Sequence, residues 1–114
     1  MKFNKSKFQV TMQERIVETE CYLVDAPKWK PLKLCVHKEL DCAGMPGKKW
    51  VMSEVETGFK VSQFAWPSRD KAVEDGMARL ANAGKEQVEE VMTKARERRA
   101  VVERLMSKRG KGVD

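Results

Sequence analysis

The sequence contains no long apolar run. Its 114 residues include no stretch of the roughly 18 apolar residues that a membrane-spanning helix needs, so no membrane association is predicted. The first seven residues, Met1–Lys7, also lack the apolar segment of a secretion signal. The cysteine count of 3 is odd, which is untypical of a disulfide framework. We therefore expect a cytoplasmic protein with free thiols.

Signatures of cofactor binding and of catalysis are missing as well. The 7 glycines never form a G-x-G-x-x-G or other phosphate-binding loop, so no cofactor is predicted. The single histidine, His37, has no Ser or Cys near it in a recognised nucleophile motif. Glu18 and Glu20 can share a strand face, as an acid/base pair requires, but alternating glutamates are typical of a solvated face. The sequence predicts no catalytic residues and no enzymatic activity.

The three cysteines and the histidine are the residues to consider as zinc ligands. Cys21, Cys35 and Cys42 lack the C-x2–4-C pairing of common zinc sites, although Cys35 and His37 share a strand face. The alternative interpretation places Cys21 and Cys35 in the core as small strand residues. We predict no metal site, and whether these four side chains approach one another is left open.

Aromatic residues are absent after residue 66. All of them (4 Phe, 3 Trp and 1 Tyr) precede Pro67, and the chain beyond it is rich in Ala, Glu, Arg, Val and Met. This change of composition indicates strands first and helices second. It predicts the α+β class, namely an antiparallel β-meander of four to five strands followed by a short helix and a long C-terminal helix.

Alternation of apolar and polar residues predicts the individual strands. Three are expected before a loop at 41–47, which contains two glycines and a proline, and two after it. Gly58 supplies the positive φ that a short hairpin loop between the last two requires. The predicted strands are Lys7–Met12, Ile16–Val24, Leu32–His37, Trp50–Val55 and Phe59–Phe64.

Helix signals follow the strands. Ser68 is a suitable N-cap, and Asn82–Gly84 is a stop signal. Residues 85–108 contain neither Gly nor Pro and predict a helix of ~35 Å beside strands of ~20 Å, so its far end projects. We expect one domain over residues 1–108, with strands at about 7–64, helices at about 68–83 and 85–108, and a flexible basic tail at 109–114.

The positive charge is concentrated near the end of the chain. Residues 94–111 hold eight basic and two acidic side chains, a net +6 that equals the charge of the whole chain. Arg98 and Arg99 interrupt the apolar stripe of the long helix, where a buried unpaired charge would cost several kcal/mol. Either their stems cover the core edge with the guanidinium groups in water, or they meet an acidic partner or a phosphate backbone.

These arginines are the predicted partner-binding residues, supported by neighbouring apolar side chains on the helix. The primary set is Arg96, Arg98, Arg99 and Arg104, with Val102, Leu105 and Met106 beside them. Trp29, flanked by Lys28 and Lys30 in a proline-bounded loop, is the predicted secondary anchor.

Two classes of partner fit this set. A basic helix with apolar residues beside it is typical of a protein-binding element or of a homodimer seam. The same arginines can instead bind phosphates, while Trp29 and Trp50 next to lysines stack on unpaired bases. No motif of the common RNA- or DNA-binding modules accompanies them. Protein binding is the leading prediction, nucleic-acid binding is the alternative, and a homodimer through the long helix is left open.

One stretch resembles a known type of protein. Trp50–Phe59, a further strand and Pro67–Ala72 are similar to a strand–turn–strand–helix module of small phage-encoded α+β proteins, over residues 48–80. They also resemble the arm-binding domains of phage integrases, although here only Lys60 is basic after the turn glycine.

The resemblance implies a phage accessory or anti-defence protein of the anti-CRISPR or anti-restriction type. Such proteins occupy a surface of a host complex rather than perform chemistry. The implied function is a non-enzymatic interaction protein that binds and inhibits a host protein or nucleoprotein complex in the host cytoplasm through its basic C-terminal helix.

Overall fold

The computed structural model describes residues 4–11 and 16–111. Four antiparallel strands form one sheet in the order β1-β2-β3-β4, followed by one long helical element. This confirms the α+β class and the meander. Among the described residues, no helix is long and apolar enough to cross a bilayer. The elements are β1 (Asn4–Thr11), β2 (Ile16–Val24), β3 (Leu34–Leu40), β4 (Pro46–Glu54) and α1 (Arg69–Lys111), with a short 3-10 helix at Pro27–Trp29.

The strand bounds differ from the predicted ones at several ends. β2 agrees, whereas β1 begins three residues before Lys7 and β3 begins two residues after Leu32. The predicted end of the first strand at Met12 lies outside the described residues. Pro46 and Gly47, predicted as loop, begin β4 instead. A proline is tolerated there because it is the first residue of an edge strand, where its missing N–H removes no central ladder bond.

The predicted fifth strand, Phe59–Phe64, is not confirmed. This segment runs back along β4 and meets it at two isolated bridges, Ser53–Lys60 and Trp50–Trp66. The two β4 residues are three positions apart, whereas their partners are six positions apart. Three extra residues therefore bulge out between the bridges, and a regular ladder is not formed.

One side chain and two backbone amides replace the missing ladder bonds around this bulge. The Oγ of Ser62 accepts a hydrogen bond of 3.0 Å from the backbone N–H of Met52. The carbonyl of Met52 accepts from the N–H groups of Val61, at 2.7 Å, and Ser62, at 3.1 Å. The backbone N–H and carbonyl of Met52 thus both have partners, although Ser62 and Met52 are fully buried.

The first face of the sheet, here called the helix face, packs against α1. Apolar side chains of β2, β3 and β4 meet one stripe of the helix in a single cluster. Its buried members are Val24, Leu34, Val36, Met52, Val61, Ala72, Val73, Leu80, Val88 and Met92. Burying one such aliphatic side chain contributes ~1.5–3 kcal/mol, so this cluster is the main source of stability.

The second face, here called the back face, carries a smaller cluster. Phe8, Cys21 and Cys35 are buried together there, with Leu23 and Val55 packed at their margin. Register places further residues on this face: Ser53 is the cross-strand partner of Cys35, and His37 is the partner of Val51. Both faces of β3 are therefore covered, which explains why four successive residues of that strand are buried.

α1 consists of two helical segments that meet at a kink. The predicted short helix is not confirmed as an element of its own. The predicted stop does coincide with the kink, because Gly84 has the non-helical angles φ 81° and ψ 160°. At the helix start, the Oγ of Ser68 accepts from the N–H of Lys71 at 3.3 Å, as expected of an N-cap.

The segment after the kink crosses the end of the sheet. Val88 and Met92 still belong to the helix-face cluster, whereas Arg99 reaches β1 and donates to the carbonyl of Gln9 at 3.1 Å. Val102 is buried, and residues 103–107 are exposed, so only this last part projects. The helix continues to Lys111 and so includes the first residues of the predicted flexible tail; residues 112–114 lie outside the described part.

The close approach of α1 to β4 predicts the effect of a small substitution. A Cβ at Gly76 would collide with the Cε of Met52 and lie 2.9 Å from its Sδ and 3.1 Å from its Cβ. We expect Gly76→Ala to lower the free energy of unfolding by ~1–3 kcal/mol in urea denaturation, despite the better helix propensity of alanine.

The control is the same substitution in a Met52→Ala background, which lacks the Cε and Sδ atoms and keeps only the Cβ at 3.1 Å. There Gly76→Ala should cost clearly less free energy of unfolding. An equal loss in both backgrounds would show that the collision is not the cause.

Candidate functional site

The structure brings together two predicted sites that are far apart in sequence. The 3-10 helix and the loop after it lie beside α1 and leave a groove of about 220 Å³ between them. We call this the basic groove. Its cationic lining residues are Lys28, Lys30, Lys85 and Arg96, opposed by the single acid Glu89.

The loop is held in place by its own backbone and by the core. The N–H of Trp29 donates to the carbonyl of Ala26 at 3.0 Å, and the N–H of Leu32 donates to the carbonyl of Trp29 at 2.9 Å. The ring of Trp29 is half-buried against the helix-face cluster, while Lys28 and Lys30 are exposed. The groove therefore has an apolar floor and a charged rim, as binding sites commonly do.

Arg96 lies at the rim of the groove on α1. Its Nε is 3.6 Å from the Oε1 of Glu56 in the turn after β4, and 46% of its side chain is exposed. An exposed ion pair of this kind contributes at most ~1 kcal/mol to stability. Arg96 can therefore exchange Glu56 for another partner at little cost.

Arg99 is placed differently from the sequence expectation. Only 7% of the residue is exposed. Its guanidinium group donates to the carbonyl of Gln9 at 3.1 Å and to the Oε1 of Gln9 at 3.0 Å, and its Nε is 3.4 Å from Glu103. Arg99 thus ties the helix to β1, and its guanidinium group does not lie in water as the solvated interpretation expects.

Arg98 and Arg104 are exposed, but neither lines the basic groove. Of the apolar residues predicted to support them, Val102 is buried in the protein, whereas Leu105 and Met106 remain 40% and 38% exposed. Arg98 lines a second and larger cleft instead.

This second cleft, of about 600 Å³, lies between the back face, the turn after β4 and α1. We call it the histidine cleft. The sheet contributes His37, Val51 and Ser53 to its lining, and the helix contributes Val91, Lys94, Ala95 and Arg98.

A hydrogen-bonded pair lies in the wall of the histidine cleft. The Nε2 of His37 is 2.8 Å from the Oγ of Ser53, and its Nδ1 is 2.8 Å from the carbonyl of Lys38. The carbonyl can only accept, so Nδ1 carries the proton and the Ser53 hydroxyl donates to Nε2. Burial lowers the pKa of His37 below its ordinary 6.5, with the Lys38 carbonyl opposing, which keeps the imidazole neutral.

Sequence reasoning missed this pair because the two residues are 16 positions apart. Alternation alone indicates that His37 points to one face of β3. Only the register of β3 against β4, in which His37 faces Val51, places Ser53 diagonally beside it.

The pair resembles the nucleophile and base of a hydrolase. The neighbouring turn after β4, however, provides no oxyanion hole. Every backbone N–H from Glu54 to Phe59 already donates to an internal acceptor. Two of these acceptors are the carboxylate oxygens of Glu54, which also accept from the Oγ1 of Thr57 at 2.8 Å. The turn is thus internally satisfied, and its amides are unavailable to a developing oxyanion.

The candidate zinc ligands do not form a site. Cys21 and Cys35 are buried together, Cys42 is exposed in the loop before β4, and the His37 ring packs on Phe8 with centroids 4.7 Å apart. The hydrogen bond that the Cys35 thiol donates to Cys21, together with burial, raises the pKa of Cys35. Among the described residues, no three His, Cys, Asp or Glu side chains are arranged to hold a metal ion.

The three tryptophans are half-buried rather than exposed. Trp50 lies 6.0 Å from the ring of Tyr22, with the guanidinium of Arg69 5.6 Å above it. The Nε1 of Trp66 donates to Asp75 at 2.7 Å. These rings are fixed within the fold, which leaves little of them to stack on a base.

No family model, no curated protein and no solved structure matches this chain.

Arg98 and Arg99 are adjacent in sequence, but Arg98 is exposed and Arg99 is buried. Arg99→Leu removes two charge-assisted hydrogen bonds to Gln9 and should lower the free energy of unfolding by about 2 kcal/mol or more. Arg98→Leu, the matched control on the exposed side, should change it by less than ~0.5 kcal/mol. Urea denaturation measures both, and similar losses for the two variants would contradict the internal role of Arg99.

His37 should make stability pH-dependent. Above pH 6.5, its ordinary pKa, the imidazole is neutral in both states; below it the unfolded chain takes up a proton that the folded chain resists. The free energy of unfolding should therefore fall as pH decreases from about 7 to about 5. Because the chain has one histidine, His37→Gln should flatten the curve in that window. An unchanged slope in the variant would assign the pH dependence to other groups.

Proposed function

We propose that this chain is a non-enzymatic interaction protein of the phage anti-defence type. It binds an acidic surface of a host protein or nucleoprotein complex in the host cytoplasm, and it inhibits that complex by occupying the surface. The basic groove is the primary contact, and the exposed arginines of α1 extend it. The resemblance of residues 48–80 to phage proteins motivates the class of target, and the geometry of the groove motivates the mode of binding.

One observation carries the proposal: Lys28, Lys30 and Arg96 line the same groove although they come from opposite halves of the chain. Four cations face one acid there, over a floor that includes Trp29 and Met92. Arginine and tryptophan are the residue types that most often anchor protein interfaces, and lysine stems add apolar contact area. A carboxylate-bearing segment with an apolar side chain would match both the rim and the floor.

The projecting end of α1 supports a wider interface. Arg98 and Arg104 make no ion pair with any described residue. Val101 and Leu105, which are 45% and 40% exposed, lie four residues apart and so on the same side of the helix. A patch of this kind fits an acidic partner with apolar centres, or a second copy of the helix. Light scattering distinguishes the two, since a concentration-independent monomer excludes the homodimer.

Nucleic acid is the alternative partner. The same cations suit phosphates, but the half-burial of all three tryptophans disfavours the stacking that single-strand binding uses. Binding through phosphates would weaken with salt with a log–log slope of about −0.9 for each contacted phosphate.

The test is reversal of the groove charges. Lys28→Glu, Lys30→Glu and Arg96→Glu in one variant should weaken binding to the partner by about tenfold or more, because close opposite charges become like charges. The partner is first isolated from host lysate with and without nuclease, then purified, and its affinity is measured in solution over a range of salt.

The matched control reverses three exposed lysines elsewhere: Lys33→Glu, Lys48→Glu and Lys49→Glu. It has the same net charge and should bind like the unmodified chain. Equal weakening by both variants would show only a general charge effect, and full affinity of the groove variant would exclude the groove as the contact.

A further inference from the structure

The histidine cleft is separate from the basic groove and larger than it, at about 600 Å³ against about 220 Å³. The two share no lining residue. A volume of ~300–1,000 Å³ is typical of sites for small molecules. Of the residues that line this cleft, the proposed function uses only Arg98, on its exposed rim.

The interior of the histidine cleft is mostly apolar and well fixed. Val51 is 2% exposed and lies in β4 beneath it, while Val91 and Ala95 face it from the helix. Phe59 follows the turn that the carboxylate of Glu54 holds closed. A hydrocarbon chain or ring would be in contact with rigid apolar groups on two sides, which is favourable for binding.

The charges around this interior are mainly positive. Lys60, Lys94 and Arg98 line the cleft, against one acid, Glu39. The Nζ of Lys94 is 3.8 Å from Glu90, one turn earlier on the helix. Lys60 and Arg98 make no ion pair with any described residue, so their charges are available to an anion.

The polar groups on the sheet side of the cleft are buried and already paired. His37 and Ser53 are 3% and 2% exposed, and they satisfy each other. The remaining N–H of the imidazole donates to Lys38, so the pair offers neither a positive charge nor a free N–H donor. An anionic group would therefore gain nothing at the sheet end of the cleft and would bind at the exposed cations.

We propose that the histidine cleft is a binding site for a small amphipathic carboxylate of the fatty-acid type. Its apolar body lies on Val51, Val91 and Ala95. Its carboxylate is bound by Arg98 and Lys60 at the exposed side.

Three probes of equal length and different charge test this: octanoate, octan-1-ol and octylammonium, each titrated into the labelled full-length protein and followed by the backbone amide shifts. We expect saturable shifts at Ser53 and Ala95. Octanoate should bind at least about fivefold more tightly than octan-1-ol, because its carboxylate makes a charge-assisted contact that the alcohol lacks. Octylammonium should bind more weakly than either, because its positive charge is repelled by the cations of the cleft.

Two matched double variants locate the carboxylate. Lys60→Gln with Arg98→Gln should remove the preference for octanoate over octan-1-ol, and Lys85→Gln with Arg104→Gln, outside the cleft, should keep it. Ala95→Trp fills the cleft and should abolish binding of both probes while the spectrum stays dispersed. Should that variant unfold, the two glutamine variants still decide the question. Equal affinity for all three probes, an equal effect of the two double variants, or shifts confined to other surfaces would overturn the proposal.

Discussion

At Gly84 the backbone takes φ 81° and ψ 160°, a combination that is accessible almost only to glycine. The helical segment before it packs on one face of the sheet, and the segment after it passes the sheet end and lines a cleft with back-face residues. Every helix residue that lines the basic groove or the histidine cleft follows the kink, so both cavities depend on it.

The second constraint is that polar side chains buried in the fold need hydrogen-bond partners. The Ser53 hydroxyl is matched to His37, the Glu54 carboxylate to the amides of its own turn, and the Arg99 guanidinium to Gln9. Each arrangement lowers the cost of burying a polar group, and the first two also fix residues that line the histidine cleft. In the sequence Arg99 interrupts the apolar stripe of the helix. In the structure it is buried and links the helix to β1, 90 positions earlier in the chain.

The basic groove and the histidine cleft differ in charge distribution and therefore suit different ligands. The basic groove has four cations around an apolar floor and opens beside a loop, which suits a segment of a larger partner. The histidine cleft has its neutral pair deep inside and its cations outside, which suits a small molecule with one anionic end. The separation follows from geometry, because neighbouring residues of one helix, Arg96 and Arg98, point into different cavities.

The sequence by itself determined the α+β class, the meander, the span of β2, the N-cap at Ser68 and the position of the kink. These features depend on local periodicity and on residues such as Gly84 whose backbone preferences are independent of context. The bulge that replaces a fifth strand, the burial of Arg99 and the pairing of His37 with Ser53 were decided by the tertiary structure. They depend on register and on contacts between residues up to 90 positions apart, which no local pattern encodes.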